Sequence, residues 1–199
     1  MEELYALSCF AVPNMVWQWM SRRRLEGKKY IFLHMIWTYI FMFYCYLAVQ
    51  AAAGMGTFWD LLQNGLHEGE INLIPFSSEG AMTYILNVIM FMPLGFLLPL
   101  IWPHFREWKK VAVTGVAFSL CIEFCQLFCF RTTDIDDLLM NTAGTLAGYL
   151  IWIVFHALAH KVDGDGKKRS FAMCGAEPIV YMFLGVAGIF FLYNWRLLY

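Results

Sequence analysis

Charge is what this sequence has least of. Only 15% of its 199 residues are Asp, Glu, Lys or Arg, whereas a soluble domain carries about a quarter. Hydrophobic residues make up 60%, and the mean hydropathy is +0.57. That balance excludes an ordinary water-soluble globule and points to lipid. No Cys-x-x-Cys pair occurs among the six cysteines, so zinc-ribbon and thioredoxin-like chemistry have no basis. Cys121, Cys125 and Cys129 recur every fourth residue on one helix face. They read as small apolar packing residues, with a metal or redox site as the alternative. Repeats and low-complexity tracts are missing too, and every connection is short except 54–81. The net charge of −1 points to no partner, and no nucleic acid is expected.

What is there in abundance is long apolar runs and aromatic residues. A spanning helix needs about 20 mostly apolar residues. Four stretches qualify: 30–53, 82–102, 111–130 and 138–160. A fifth, 178–195, is shorter but continuous. Segment 4–20 carries Pro13, Asn14 and Gln18 and either spans or lies in the interface. It is not a typical signal peptide, because its basic run follows rather than precedes it. Eight Trp and ten Tyr suit side chains that sit where hydrocarbon meets water. The expectation is an all-α, polytopic integral membrane bundle of five to six helices, with residues 1–199 forming one membrane domain.

The charges that do occur are sorted. Twelve of the fourteen basic residues fall in three loops: Arg22 to Lys29, Arg106 to Lys110, and Lys161 to Arg169. These loops alternate with the spans and so share one side. Loop 54–81 has no Lys or Arg and carries Asp60, Glu68, Glu70 and Glu79. The positive-inside rule makes the basic loops cytoplasmic, and turns 54–81 and 131–137 outward.

Polar side chains are costly in hydrocarbon, so each one inside a span needs a reason. Glu123 and Gln126 share a face of the third clear helix, Glu123 roughly 10 Å below its outer end. Asn87 lies roughly 7 Å below the same surface. Asn141 is three residues into the next helix, and Arg131, Asp134, Asp136 and Asp137 fill the short outer turn between. No comparable residue appears in the inner halves of these three helices. His34, His104, His156 and His160 stand at or near cytoplasmic ends without ligand spacing. Helices joined by short turns are neighbours, so Asn87, Glu123, Gln126 and Asn141 can converge on one outward pocket. Gly144 and Gly148 form a G-x-x-x-G, which allows close helix approach.

Each polar residue also has a structural account. Glu123 can pair with Arg131. Asn87 and Asn141 can join helices by hydrogen bonds. Asp134 can cap a helix whose positive end favours Asp136 and Asp137. Asn72 to Phe76 can be a simple turn around Pro75, and Pro93 and Pro99 can simply kink their helix.

Taken in order, these residues resemble a known pattern. Asn72-Leu73-Ile74-Pro75-Phe76, then Asn87 with Phe91-Met92-Pro93-Leu94-Gly95, resembles the first half of the VanZ-like family's motif series. Glu123-x-x-Gln126, Arg131-x-x-Asp134-Ile135-Asp136-Asp137 and Asn141-x-x-Gly144 resemble the second half. The similarity covers residues 71–149, about two-fifths of the chain. It implies a small integral membrane protein of the bacterial cytoplasmic membrane. The family's named member is associated with resistance to the glycopeptide teicoplanin, by a route that does not rebuild the peptidoglycan terminus. The resemblance implies no particular reaction and no cofactor.

Two readings of the polar set follow. In the first, the protein binds an outer-leaflet lipid headgroup, a lipid-linked envelope precursor or a lipoglycopeptide antibiotic. Arg131 would hold phosphate or carboxylate, and Asn72, Asn87, Gln126, Asp134, Asp137 and Asn141 would orient hydroxyls or amides. In the second, it is an enzyme acting on a lipid or lipid-linked glycan, with Glu123 as the catalytic acid or base in low dielectric. Asp134, Asp136 and Asp137 offer hard oxygen ligands to a divalent cation, though no resident metal is assigned. The weak point of the enzyme reading is a nucleophile: no Ser, Thr or Cys stands at an activated spacing. A transporter or channel would need polar residues deeper along the route than these.

Overall fold

Where no water can satisfy backbone N–H and C=O groups, an apolar run must satisfy its own, and the helix does so locally. A computed structural model describes residues 2–21, 31–51, 56–64, 71–72, 74–76, 80–126, 133–162, 175–194 and 197. The described elements are almost all helical. They are α1 (Glu2–Ser21), α2 (Ile31–Ala51), short α3 (Phe58–Asn64), α4 (Ala81–Ile101), α5 (Trp108–Gln126), α6 (Ile135–Val162) and α7 (Glu177–Leu192). Two two-residue strands, β1 (Ile71–Asn72) and β2 (Thr133–Asp134), pair in parallel just ahead of α4 and α6.

Among the described residues, Phe32–Ala51, Ala81–Ile101 and Ile135–Ala159 are long and apolar enough to cross a membrane, and Glu177–Leu192 is a shorter apolar helix. Their outward faces stay apolar. On α6, Leu150, Val154 and Leu158 recur every fourth residue and are each about 60% exposed. Such a stripe is disfavoured against water and suits lipid. The expected all-α membrane bundle is what the chain forms.

The centre of the bundle is the α4–α6 seam. Both helices start at the same end: Gly144 packs on the Val88 carbonyl and Gly148 on that of Met92. A Cβ built at Gly144 or Gly148 would lie 2.2 or 1.9 Å from those oxygens, and one at Gly95 would lie 1.8 Å from the Thr145 carbonyl. Those obstacles are backbone, so any side chain here would push the helices apart. The G-x-x-x-G read from the sequence therefore serves close approach. Helix α5 runs back between the two, with Gly115 against the Thr145 side chain.

A second seam joins α1 and α7, antiparallel. The Tyr5 hydroxyl donates to the Leu192 carbonyl at 2.8 Å, Gly188 packs on the Cys9 carbonyl, and Trp17 meets Tyr181 edge to face. Helix α1 also follows α2, from Tyr46 and Gln50 beside Glu3 to Tyr39 donating to Gln18. It lies along the bundle axis rather than across one end.

Candidate functional site

The polar residues singled out from the sequence assemble around the start of α6. Asp134 caps this helix: its Oδ1 accepts the Asp136 N–H at 3.0 Å, as an N-cap carboxylate should. Its Oδ2 accepts the Asn72 side-chain amide at 3.1 Å, across the β1–β2 pair. Asn72 in turn accepts the Ile74 N–H at 3.1 Å, an Asx-type turn that starts the Pro75 bend.

Asp136 is fully buried and closes the loop onto the helix. Both of its oxygens accept the Phe76 N–H, at 2.8 and 2.9 Å, and Oδ2 also accepts the Tyr84 hydroxyl at 2.8 Å. Phe76 stands at φ 61°, left-handed backbone that costs a bulky residue about 1 kcal/mol or more and persists where neighbours enforce it. The carboxylate of Asp136 is that neighbour. Asn87, half-buried on α4, donates to Asp137. Asn72 and residues 74–76 are thus more than a turn: they are pinned to α6, as a strap, by Asp134 and Asp136.

Deeper in the bundle the second layer lies in the α5–α6 seam. The Asn141 amide donates to Ser119 Oγ at 2.9 Å. Ser119, Glu123 and Gln126 follow one another along the buried face of α5. Asn141 is 3% exposed, and its Oδ1 has no hydrogen-bond partner among the described residues. A buried carbonyl oxygen without a donor is unusual and needs an explanation.

Of the predicted residues, Asn72, Asn87, Asp134 and Asp137 therefore meet at the α6 start, and Glu123, Gln126 and Asn141 occupy the seam below. Arg131 lies outside the described residues. The three aspartates are held by separate donors rather than turned towards a shared centre, and no metal-holding group of His, Cys, Asp or Glu occurs among the described residues. Capping and strapping thus account for these carboxylates. Two partners escaped the sequence reading. Tyr84 stands one turn before Asn87, and Ser119 one turn before Glu123. Both spacings were available as signals.

The other end of the bundle carries a second buried network, built from α2, α7 and the end of α4. Glu177, at the start of α7, receives Trp102 Nε1 at 2.8 Å and the Tyr181 hydroxyl at 3.0 Å. His34 Nε2 lies 3.2 and 3.4 Å from its two oxygens, and Thr38 Oγ1 is 3.3 Å from the same nitrogen. His34 and Glu177 are 143 positions apart, so no local spacing could announce the pair. All the segments involved adjoin the basic loops.

With this geometry in hand, known proteins add a second line of information. A family model described as VanZ/LLP1 matches residues 30–156. Protein VanZ of Enterococcus faecium is 34% identical over 88 residues, covering 43% of this chain and 54% of that protein. The chain thus spans about half the length of the curated relative it matches. No solved structure matches.

Proposed function

The chain belongs to the VanZ/LLP1 family, with residues 30–156 matched, and from that premise we propose that it contributes to glycopeptide resistance, teicoplanin above all. On this reading it sits in the bacterial cytoplasmic membrane with its basic loops cytoplasmic. The strap (Asn72 and residues 74–76) and the α6 start then face the outer leaflet. The ligand is an outer-leaflet lipid headgroup or a lipid-linked envelope component.

The observation that carries the reading is Asn141. Its buried Oδ1 faces the α5–α6 seam without a donor among the described residues, one helical turn from Asp137 and beside the face that carries Glu123 and Gln126. A hydroxyl, amide or ammonium from a headgroup would satisfy it. Above it, the strap is spread over α6 by Asp134 and Asp136, with Ile74 and Phe76 exposed at its tip. Exposed apolar side chains there suit the lipid interface. Arg131, on the sequence reading, supplies the phosphate or carboxylate contact.

The test is expression in a teicoplanin-sensitive Gram-positive host, with membrane abundance measured alongside sensitivity. Glu123→Gln and Asn141→Leu should each abolish the protection at normal abundance. Protection that survives both substitutions sinks the reading.

One observation favours the enzyme alternative. Ser119, whose hydroxyl accepts from Asn141, stands one turn from Glu123. That supplies a hydroxyl near the candidate acid or base which the sequence spacing did not identify. Mass-spectrometric comparison of envelope lipids with and without the protein separates the two. A new or depleted lipid supports the enzyme, and identical profiles with intact protection support binding.

A further inference from the structure

At the basic end, a groove of about 280 Å³ opens between α5, α7 and the single turn Pro103–Phe105. Its rim is basic: Lys109, Lys110 and His104. Its wall is apolar: Phe105, Val113 and Ile179, the last two at least half exposed. We infer that this groove binds an anionic phospholipid of the leaflet facing the basic loops, its phosphate held by Lys109 and Lys110 and its acyl chain laid along Val113 and Ile179.

Three features support this. The first is the layout in depth. Lys109 and Val113 are four residues apart on one helix face, about 6 Å along the axis at 1.5 Å per residue. Charge at the headgroup level with apolar surface one turn deeper is the profile of a phospholipid. Basic recesses between membrane helices on the cytoplasmic side hold such headgroups elsewhere.

The second is the helix dipole. Lys109 and Lys110 stand in the first turn of α5, where the positive end of the dipole disfavours cations. Helix stability therefore does not favour their position; the positive-inside bias does, and an anion bound there would offset the dipole cost. The third is the local charge. Between 106 and 110 the sequence sets Arg106, Lys109 and Lys110 against one carboxylate, Glu107, which among the described residues pairs with Lys110 at 3.1 Å. Lys109 is exposed, with its ammonium over the Trp108 ring, 6.0 Å from the centroid.

The groove is separate from the site around α6, so the inference stands or falls independently of the resistance reading. The experiment uses the full chain in detergent. Native mass spectrometry reads the lipid retained in competition between phosphatidylglycerol and phosphatidylcholine, with inorganic phosphate as a third arm. The wild type should retain phosphatidylglycerol preferentially. Lys109→Gln and Lys110→Gln should each weaken that preference about fivefold, the scale of one basic side chain at an anionic surface. Glu107→Gln frees Lys110 and should strengthen it. Val113→Trp, at an exposed position, should fill the groove and lower retention without disturbing the fold. Equal retention of the two lipids, an unchanged preference in the double lysine variant, or displacement of phosphatidylglycerol by phosphate alone would each overturn the assignment.

Discussion

The two ends of the bundle both bury carboxylates, yet they are built differently. At the basic end, Glu177 is closed on every side. Each of its oxygens meets His34, and each has one further donor, Tyr181 or Trp102. The partners come from α2, α7 and the end of α4, so the network ties together elements that the chain brings in separately. At the acidic end, the aspartates bond mainly to one strap and to α4, through backbone N–H groups, amides and a phenol. Below them the acceptor of Asn141 is left open among the described residues. A carboxylate with both oxygens engaged, as in Glu177, serves cohesion, since its acceptors are already spent on the fold. An acceptor left open can take something else. On the proposed function, the Glu177 network serves structure and the open acceptor below the α6 start serves recognition.

The largest effect should come from breaking the Glu177 network. Glu177→Leu strands His34, Trp102 and Tyr181 in a buried setting. Removing one partner of a buried pair costs about 3–5 kcal/mol. Thermal unfolding in detergent should show it, and any loss of protection should track the loss of folded protein. If Glu177→Leu leaves unfolding unchanged, the basic end is not a structural lock.

Asp136→Asn should come next. It keeps the shape but removes the charge that holds the Phe76 N–H and the Tyr84 hydroxyl, contacts worth about 1.5–3 kcal/mol when charge-assisted. The strap should loosen before the bundle does. Faster amide exchange at Ile74 and Phe76, with α4 and α6 unaffected, is the expected signature.

Asn141→Leu should affect stability least and function most. Interhelical side-chain bonds in membranes average about 0.6 kcal/mol, so folding should barely change while protection is lost. An Asn141→Leu protein that still protects would erase the contrast between the ends.

Much of this was legible in the sequence, and the reasons are local. Gly144 and Gly148 carried their own explanation, because small residues four apart leave a flat helix face wherever they occur. Asp134 as a cap, Pro75 as a bend and the sorted lysines were readable in the same way. Gly95 was not: only the Thr145 carbonyl lying against it explains the missing side chain. Segment 4–20 was ambiguous because Asn14 and Gln18 look costly in lipid. In the bundle both are buried, Asn14 donating to the Phe10 carbonyl at 3.0 Å and Gln18 accepting from Tyr39. His34 looked like an end residue until α7 placed Glu177 beside it.

Hydropathy and charge alone determined that this chain forms apolar helices, how they alternate between a basic and an acidic end, and which positions hold polar groups. Those properties follow from backbone bonds that each helix closes within itself and from the local cost of moving charge into lipid. The tertiary structure decided which polar groups meet. That depends on how each helix is rotated and how closely its neighbours approach, here set by glycines seated on facing carbonyls. Depth along the membrane could be read from position in the sequence. The pairing of Glu177 with His34, and the open oxygen of Asn141, arose only when the helices packed.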